Sequence, residues 1–368
     1  MRQENKQSLN VPSVSVTTVR QLLTELYSSA LENGVPLKSL PTPFFWGPAG
    51  VGKSEGVAQM AKAVEERTGK RVKVTDVRLL LFSPVDLRGV PVADGEKRFT
   101  NWLMPRIFQM DPDRSVVNLL FLDELSAAPQ SVQAAAYQIC LDRRIGEFML
   151  PDNCIVIAAG NRTTDQSVSY KMPKALCNRL MHFDVKSDYA AWREWAVAEG
   201  ISDKVLAYLA FDPSRLCVEP ESSDLAYATP RSWTFVSRLL QTAGDRPSVV
   251  RPLIAACVGN DTAMEFLAFC RGFSGMPSVA QILSGRCTEL PKTHDVTYAL
   301  ISALVLALRQ RGEELSMECL NNACDYVQRL PKDFAAAFFQ DLKALPAINR
   351  RLMKCESFQR WLGSLKRR

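Results

Sequence analysis

Eight consecutive residues with the sequence GPAGVGKS have the types and the spacing that bind a chain of phosphates. Their glycines let the backbone turn so that its amides point inward at phosphate oxygens. The lysine would reach the β- and γ-phosphates, and the serine hydroxyl would bind Mg²⁺. A helix predicted over 55–67 would present its positive end to the same phosphates. The segment consists, in order, of Gly47, Pro48, Ala49, Gly50, Val51, Gly52, Lys53 and Ser54.

Two further apolar runs end in polar side chains that suit the same chemistry. The run 118–124 (NLLFLDE) ends in Asp123, which would bind the Mg²⁺ shell mainly through water, and Glu124, which would orient or deprotonate an attacking water. The run 155–161 (IVIAAGN) ends in Asn161, an uncharged amide that would hold the lytic water beside the γ-phosphate. Together, the three segments predict hydrolysis of a nucleoside triphosphate.

The elements around these residues alternate between short apolar runs and helical stretches as far as about residue 186, which predicts a parallel sheet covered by helices. A first helix is expected within 14–33. Two hairpins are also expected, over 89–101 with an Asp94-Gly95 turn, and over 144–157 with a turn near 151–153. The predicted strands include 44–46, 71–79, 116–123, 154–161 and 180–185.

After residue 186 the strand signals stop and the periodicity is helical. Gly and Pro residues separate the predicted helices. These helices cover 188–199, 202–211, 231–243, 247–258, 261–272, 295–311, 316–329 and 332–344.

Composition narrows the class of protein. The chain of 368 residues is 47% hydrophobic and 23% charged, which excludes a disordered or collagen-like chain. Its ten cysteines form no CxxC pair and it has two histidines, so a zinc site is not expected and the thiols suit a reducing compartment. The polar start MRQENKQSLN carries no signal peptide, and the most apolar stretch, 298–308, is too short for a bilayer. We therefore expect a cytoplasmic protein without a membrane span.

With the three polar segments in this order, the chain resembles the AAA+ ATPases, and among them the MoxR and dynein-related branch. The resemblance covers about residues 14–275. The chain departs from the branch in two places. Ser126 and Ala127 stand where Asn-Arg is usual, and the segment 104–108 also differs. Neither change is expected to touch the phosphate chemistry. The segments that carry the resemblance are 79–92 (LLLFSPVDLRGVPV), 122–145, 158–165 (AAGNRTTD), 172–180 (MPKALCNRL) and 228–233 (ATPRSW).

This resemblance implies an α/β P-loop NTPase core over 1–186, an all-α lid over 187–275 and a C-terminal helical extension over 276–368. It implies that Arg179 is a finger reaching the γ-phosphate bound by the neighbouring subunit, and that Arg231 is a second sensor that reports loss of that phosphate to the lid. The 89–101 hairpin would face the central pore of a ring. Three further arginines stay open as phosphate contacts: Arg143, Arg144 and Arg162.

The implied function is an ATP-hydrolysing, chaperone-like remodelling enzyme with ATP and Mg²⁺ as cofactors. It would work as a ring, expected to have six subunits, with ATP at the interfaces. Its partner would be a separate polypeptide, such as one with a von Willebrand factor A domain, because this chain shows no such domain. An alternative is a DNA-associated motor or loader, favoured slightly by the basic tail 349–368 and the net charge of +6. A non-hydrolysing scaffold is disfavoured, since it need not keep all of the site residues.

Overall fold

The structure, a computed structural model, divides the chain after Ser187 into two units that are each described by themselves. It describes residues 10–162, 165, 170, 172, 174–221, 223–244, 246–271 and 276–365. The glycines at 272 and 275, and the last three residues of the basic tail, lie outside the described residues, as do parts of the segments 158–165 and 172–180.

The first unit contains the described strands, and its fold class is α/β. Within the described ranges, six parallel strands form its main sheet, in the spatial order β1-β10-β2-β9-β6-β3. The strands are β1 (Ser13–Ser15), β2 (Thr42–Trp46), β3 (Arg71–Arg78), β4 (Val90–Ala93), β5 (Thr100–Leu103), β6 (Val116–Asp123), β7 (Arg144–Ile145), β8 (Phe148–Met149), β9 (Cys154–Gly160) and β10 (Leu180–Lys186).

Helices cover both faces of this sheet, as expected for parallel strands that are apolar throughout. Every residue of β9 is buried, and so is every residue of β6 except its last. One face packs against α1 and α2, and the other packs against α4. The helices of this unit are α1 (Val16–Glu32), α2 (Lys53–Thr68), α3 (Pro84–Arg88), α4 (Gln130–Asp142) and α5 (Lys174–Cys177).

The first predicted hairpin is confirmed, whereas the second has its predicted turn but a different strand pairing. Strands β4 and β5 pair antiparallel around Asp94, whose carboxylate accepts from the amides of Arg98 and Phe99. The chain does turn at 151–153, where the amide of Cys154 donates to the carbonyl of Pro151 at 3.1 Å, but the hairpin lies before it: β7 pairs with β8 around Gly146, which has φ +57. A Cβ at Gly146 would lie 2.7 Å from the carbonyl oxygen of Arg88, so only glycine fits this turn. The residues after 151–153 form β9, which pairs parallel with its neighbours in the main sheet.

The second unit is helical wherever it is described. Its helices are α6 (Tyr189–Glu199), α7 (Asp203–Phe211), α8 (Pro230–Ala243), α9 (Pro247–Val258), α10 (Asn260–Arg271), α11 (Val279–Leu283), α12 (His294–Arg311), α13 (Met317–Val327), α14 (Lys332–Lys343), α15 (Pro346–Leu352) and α16 (Glu356–Leu365). No helix among the described residues combines the length and the apolarity needed to cross a membrane.

One hydrophobic core runs through this unit from Trp192 to Phe358. Helix α12 packs against α7, so residues before and after 275 contribute to the same core. The division into a lid and an extension stays a prediction about function, since both segments share this packing. The basic tail also contributes apolar side chains, because Phe358 is buried and Trp361 packs beside it.

Candidate functional site

The candidate site lies at the carboxyl ends of three neighbouring strands. Strand β2 leads into the glycine-rich loop, β6 ends at Asp123, and β9 leads into Asn161. Because these strands are parallel and adjacent, their carboxyl ends meet at one edge of the sheet. The amide of Gly47 donates to the carbonyl of Gly160 at 3.3 Å, which ties the start of the loop to the end of β9.

The loop depends on glycine at its bends. Gly50 and Gly52 have φ +81 and +99, in the left-handed region that favours glycine. At Gly47 a Cβ would lie 2.5 Å from the carbonyl oxygen of Val185 in β10. Gly52 is the N-cap of α2, so the loop ends where the helix presents its free amides and its positive end.

Lys53 is buried at the first position of α2, with 8% of its surface exposed. Its Nζ donates to the carbonyl oxygens of Gly47 and Pro48 and, at 3.2 Å, to Oδ1 of Asn161. The lysine therefore lies inside the loop and links it to the end of β9.

Ser54 and Asp123 lie side by side, with Ser54 Oγ donating to Asp123 Oδ2 at 2.9 Å. A hydroxyl and a carboxylate are hard oxygen donors of the kind that Mg²⁺ prefers. The residues present therefore fit a magnesium ion that is held by one or two protein oxygens and several waters. The second carboxylate oxygen of Asp123 accepts from the amide of Glu124 at 2.8 Å.

Glu124 follows β6 with φ +58, in the left-handed region that non-glycine residues seldom adopt. Neighbouring backbone hydrogen bonds hold this conformation. The amide of Leu125 donates to the carbonyl of Ala159 at 2.9 Å, and the amide of Ala127 donates to the carbonyl of Glu124 at 3.0 Å. Backbone strain of this kind is often found at functional sites. It turns the chain directly after Asp123.

Asn161 is held through its backbone by Ser126. The amide of Asn161 donates to Ser126 Oγ at 2.9 Å, and that hydroxyl donates to the carbonyl of Asn161, also at 2.9 Å. The expectation that the departure at Ser126 leaves the phosphate chemistry untouched stays a prediction, but Ser126 does contact Asn161, the residue predicted to hold the lytic water. The sequence offers no direct signal of this contact, because it joins residues that are 35 positions apart.

Asp76 is a second residue that the sequence analysis missed. It lies on β3, two residues before Arg78, which is paired with Asp123 in the sheet. Burial, and then the negative charge of Asp123, raise the pKa of the Asp76 carboxyl above its ordinary value, although Arg78 acts in the opposite direction. The site edge therefore carries a third carboxyl group.

The predicted arginine finger, Arg179, lies at the other end of the sheet, and the predicted second sensor, Arg231, belongs to the second unit. Arg179 is exposed and precedes Leu180, which pairs with Thr42 at the amino end of β2. Since β2 and β10 run parallel, Arg179 is separated from its own loop by the length of a strand, about 13 Å at 3.3 Å per residue. Arg231 is exposed in the first turn of α8, in the second unit.

All three arginines left open as phosphate contacts have partners within this chain. Arg143 is buried and donates to Thr42 Oγ1 and to the carbonyls of Leu40 and Cys140, at the amino end of the sheet. Arg162 pairs with Asp184 and, at 3.4 Å, with Asp165.

Arg144, the third of these arginines, is exposed, and its Nη2 donates to the carbonyl of Glu147 at 3.4 Å. The partners of Arg143, Arg144 and Arg162 are therefore groups of this chain, and Arg143 lies a strand length away from the loop.

The sheet order, with the loop on a central strand and the carboxylates and the amide on its neighbours, defines a P-loop NTPase-type α/β core. No protein-family model matches the chain, and no curated protein matches it. Among solved structures, the chain is similar to a mutant of Thermotoga maritima RuvB at 16% identity, with a TM-score of 0.37, over 73% of this chain and 74% of that one.

Two further solved structures show likeness of the same order. Caenorhabditis elegans PCH-2 is 14% identical with a TM-score of 0.34, over 82% of this chain and 71% of that one. NtrX from Brucella abortus in complex with ATP is 14% identical with a TM-score of 0.37, over 91% of this chain and 69% of that one. What the site can do follows from its own geometry.

Proposed function

We propose that the protein is an AAA+ ATPase that hydrolyses ATP at the carboxyl edge of its sheet. One observation carries the proposal: Lys53, Ser54, Asp123 and Asn161, taken from three separate segments, are joined by hydrogen bonds of 2.9 Å and 3.2 Å at one place. An ordinary glycine-rich turn would not need a buried lysine, a paired hydroxyl and carboxylate, and an amide in mutual contact.

Each residue has a role that follows from its position. The loop amides and the start of α2 would bind phosphate oxygens, and Lys53 would exchange its loop carbonyls for the β- and γ-phosphates. When bound, Mg²⁺ would neutralise charge on these phosphates, and Ser54 and Asp123 would hold it. Glu124 would take the proton of the attacking water, and Asn161 would orient that water beside the γ-phosphate.

We further propose that the enzyme acts as a ring, expected to be a hexamer, and belongs to the MoxR and dynein-related branch. The position of Arg179 supports this, because an arginine at the amino end of the sheet is too far away to serve its own loop. It would instead reach a neighbour's γ-phosphate, so hydrolysis would depend on assembly. Arg231 would report phosphate loss, and the β4–β5 hairpin would face a client in the pore.

The client would be a separate protein, for which a von Willebrand factor A domain is the leading class, and the ATPase would remodel it. The β4–β5 hairpin supports a protein client because it carries apolar side chains to the surface, among them Val90 and Phe99, which are 53% and 69% exposed. A pore lined by such side chains would bind an unfolded segment of the client through apolar contacts.

Steady-state ATP hydrolysis by the wild type and by Glu124→Gln tests the proposal. We expect the wild type to turn over ATP and Glu124→Gln to lose at least about 100-fold in kcat while it still binds ATP, because only the proton acceptor is removed. The exposed Glu66→Gln is the matched control and should behave as the wild type. Equal turnover in Glu124→Gln and the wild type would refute the role of Glu124.

The same assay distinguishes the proposed protein client from the alternative, a DNA-associated motor or loader. Stimulation of hydrolysis by duplex DNA, falling steeply as salt is raised, would replace the protein client by nucleic acid.

A further inference from the structure

Ser126 occupies a constrained position beside the proposed site. It lies two residues after Glu124 and is 3% exposed. Its carbonyl accepts from the Tyr170 amide at 2.7 Å and from Gln133 Nε2 at 3.3 Å, and Gln133 is in turn held by a neighbouring tyrosine hydroxyl. Hydrogen bonds to its carbonyl oxygen therefore hold the backbone of Ser126 in place independently of its side chain.

The side chain of Ser126 satisfies both backbone groups of one residue. Its hydroxyl accepts from the amide of Asn161 and donates to the carbonyl of Asn161, each at 2.9 Å. Asn161 lies just beyond the end of β9, where the hydrogen bonds of the sheet no longer restrain it. The Ser126 hydroxyl thus restrains Asn161, as the hydrogen bonds of the sheet restrain the residues up to Gly160.

Gly160 makes this close approach possible. A Cβ at position 160 would lie 2.6 Å from Ser126 Oγ, 2.9 Å from Ser126 Cβ and 3.1 Å from Phe44 Cζ. Distances below 3.0 Å are not tolerated between such atoms, so the glycine admits the serine side chain against the backbone.

We propose that Ser126 is a positioning residue for ATP hydrolysis, acting through Asn161; the inference rests on the proposed function. The side chain of Asn161 already contacts Lys53 at 3.2 Å, and the turn that carries Ser126 also carries Glu124. The hydroxyl therefore sets the distance between the amide that orients water and the carboxylate that deprotonates it. Misplacement of a reacting group by about 1 Å can cost about 100-fold in rate.

Single variants and a double mutant test this inference. We expect Ser126→Ala to lower kcat by about 10- to 100-fold, with the ATP Kd within about 3-fold of wild type, since the loop and Lys53 are untouched. Ser126→Thr keeps the hydroxyl and should recover most of kcat. Ser28→Ala is the matched control, because Ser28 is also fully buried in the first unit and its hydroxyl has no hydrogen-bond partner among the described residues.

The double mutant separates positioning from a general structural effect. If Ser126 acts through Asn161, adding Ser126→Ala to Asn161→Ala should lower kcat no further than Asn161→Ala alone. Full multiplication of the two losses, or wild-type turnover in Ser126→Ala, would overturn the inference. If Ser126→Ala does not fold, Ser126→Cys takes its place with the same expected loss. Absence of hydrolysis in the wild type would instead refute the proposed function itself.

Discussion

At the scale of single residues, charge is concentrated at the carboxyl edge of the sheet. Asp76, Asp123 and Glu124 bring three carboxyl groups near one place, and the pKa of Asp76 is raised by burial and by Asp123. An acid whose pKa is raised in the folded protein gives up its proton less readily there than in the unfolded chain. Its contribution to stability is therefore unfavourable above the raised pKa, and it vanishes below the ordinary value of 3.8.

We therefore predict that Asp76→Asn raises the melting temperature at pH 7 by a small amount, because Asp76 is exposed and solvent screens its repulsion from Asp123, and that this gain shrinks as the pH falls toward 4. Thermal unfolding in the absence of divalent cations, measured across that pH range, checks the prediction. Asp113→Asn is a control of opposite sign, because hydrogen bonds from Ser115 lower the pKa of Asp113. An unchanged or lower melting temperature of Asp76→Asn at pH 7 would contradict the electrostatic account.

Residue types and spacing were enough to predict the loop, Asp123 and Asn161, because each has a chemical requirement visible in the sequence. Glycine is needed where φ is positive, and a carboxylate or an amide must follow a buried strand. Ser126 and Asp76 could not be found in this way. Their contacts arise from strand register and from approach between distant segments, which one sequence does not report.

At the scale of elements, a buried ion pair joins two helices that are far apart in the chain. Arg193 of α6 donates from Nε to Asp341 Oδ1 at 2.9 Å and from Nη2 to Asp341 Oδ2, in a two-pronged arrangement. Burial lowers the pKa of Arg193, but the hydrogen bonds and the charge of Asp341 raise it by more. The side chains are 11% and 8% exposed, so solvent screens the pair little.

We predict that Asp341→Ala destabilises the helical unit by about 3–5 kcal/mol, because it leaves the Arg193 charge buried without its partner. The double variant Arg193→Met with Asp341→Leu should recover most of that loss. Chemical denaturation followed by circular dichroism measures both. The exposed pair of Arg360 and Asp325 supplies a control, since Asp325→Ala should cost no more than about 1 kcal/mol. A loss that small in Asp341→Ala would show that the buried pair contributes little.

Periodicity predicted the elements well where it was long. The eight helices expected after residue 186 match α6 to α10 and α12 to α14 closely, because each carries several turns of apolar spacing. The short elements were missed. Strand β1 and helix α11 have three and five residues, too few for a period to show. The turn at 151–153 is present, but the strands on either side of it do not pair with each other: β8 pairs with β7 around Gly146, which close packing against Arg88 selects.

At the scale of the whole molecule, the roles that we propose divide between the two ends of the sheet. The loop and its partners lie at the carboxyl end, and Arg179 lies at the amino end. If Arg179 is the finger that we propose, such a chain carries a binding site at one edge of the sheet and a cation for another chain's site at the opposite edge. Assembly into a closed ring would bring each cation to a neighbour's loop.

We predict that Lys53→Ala and Arg179→Ala, each inactive alone, partly restore ATP hydrolysis when mixed. Some interfaces in a mixed ring would combine an intact loop from one subunit with an intact Arg179 from the next. ATPase activity across mixing ratios measures the effect. Mixing either variant with the double variant Lys53→Ala/Arg179→Ala is the control and should give no recovery. Failure at every ratio would argue that Arg179 does not act across an interface.

Gly160 also constrains the order in which substitutions can accumulate in descent. Any residue with a Cβ at position 160 would meet the Cβ of residue 126 at 2.9 Å and the ring of Phe44 at 3.1 Å. Replacing the serine by alanine therefore does not free the glycine, because the offending carbon remains. Position 160 can take a larger residue only after residue 126 has itself become glycine or the two segments have moved apart, and the ring of Phe44 must also shift by a few tenths of an ångström. In a lineage of such proteins we therefore expect glycine to persist at position 160 even where residue 126 differs.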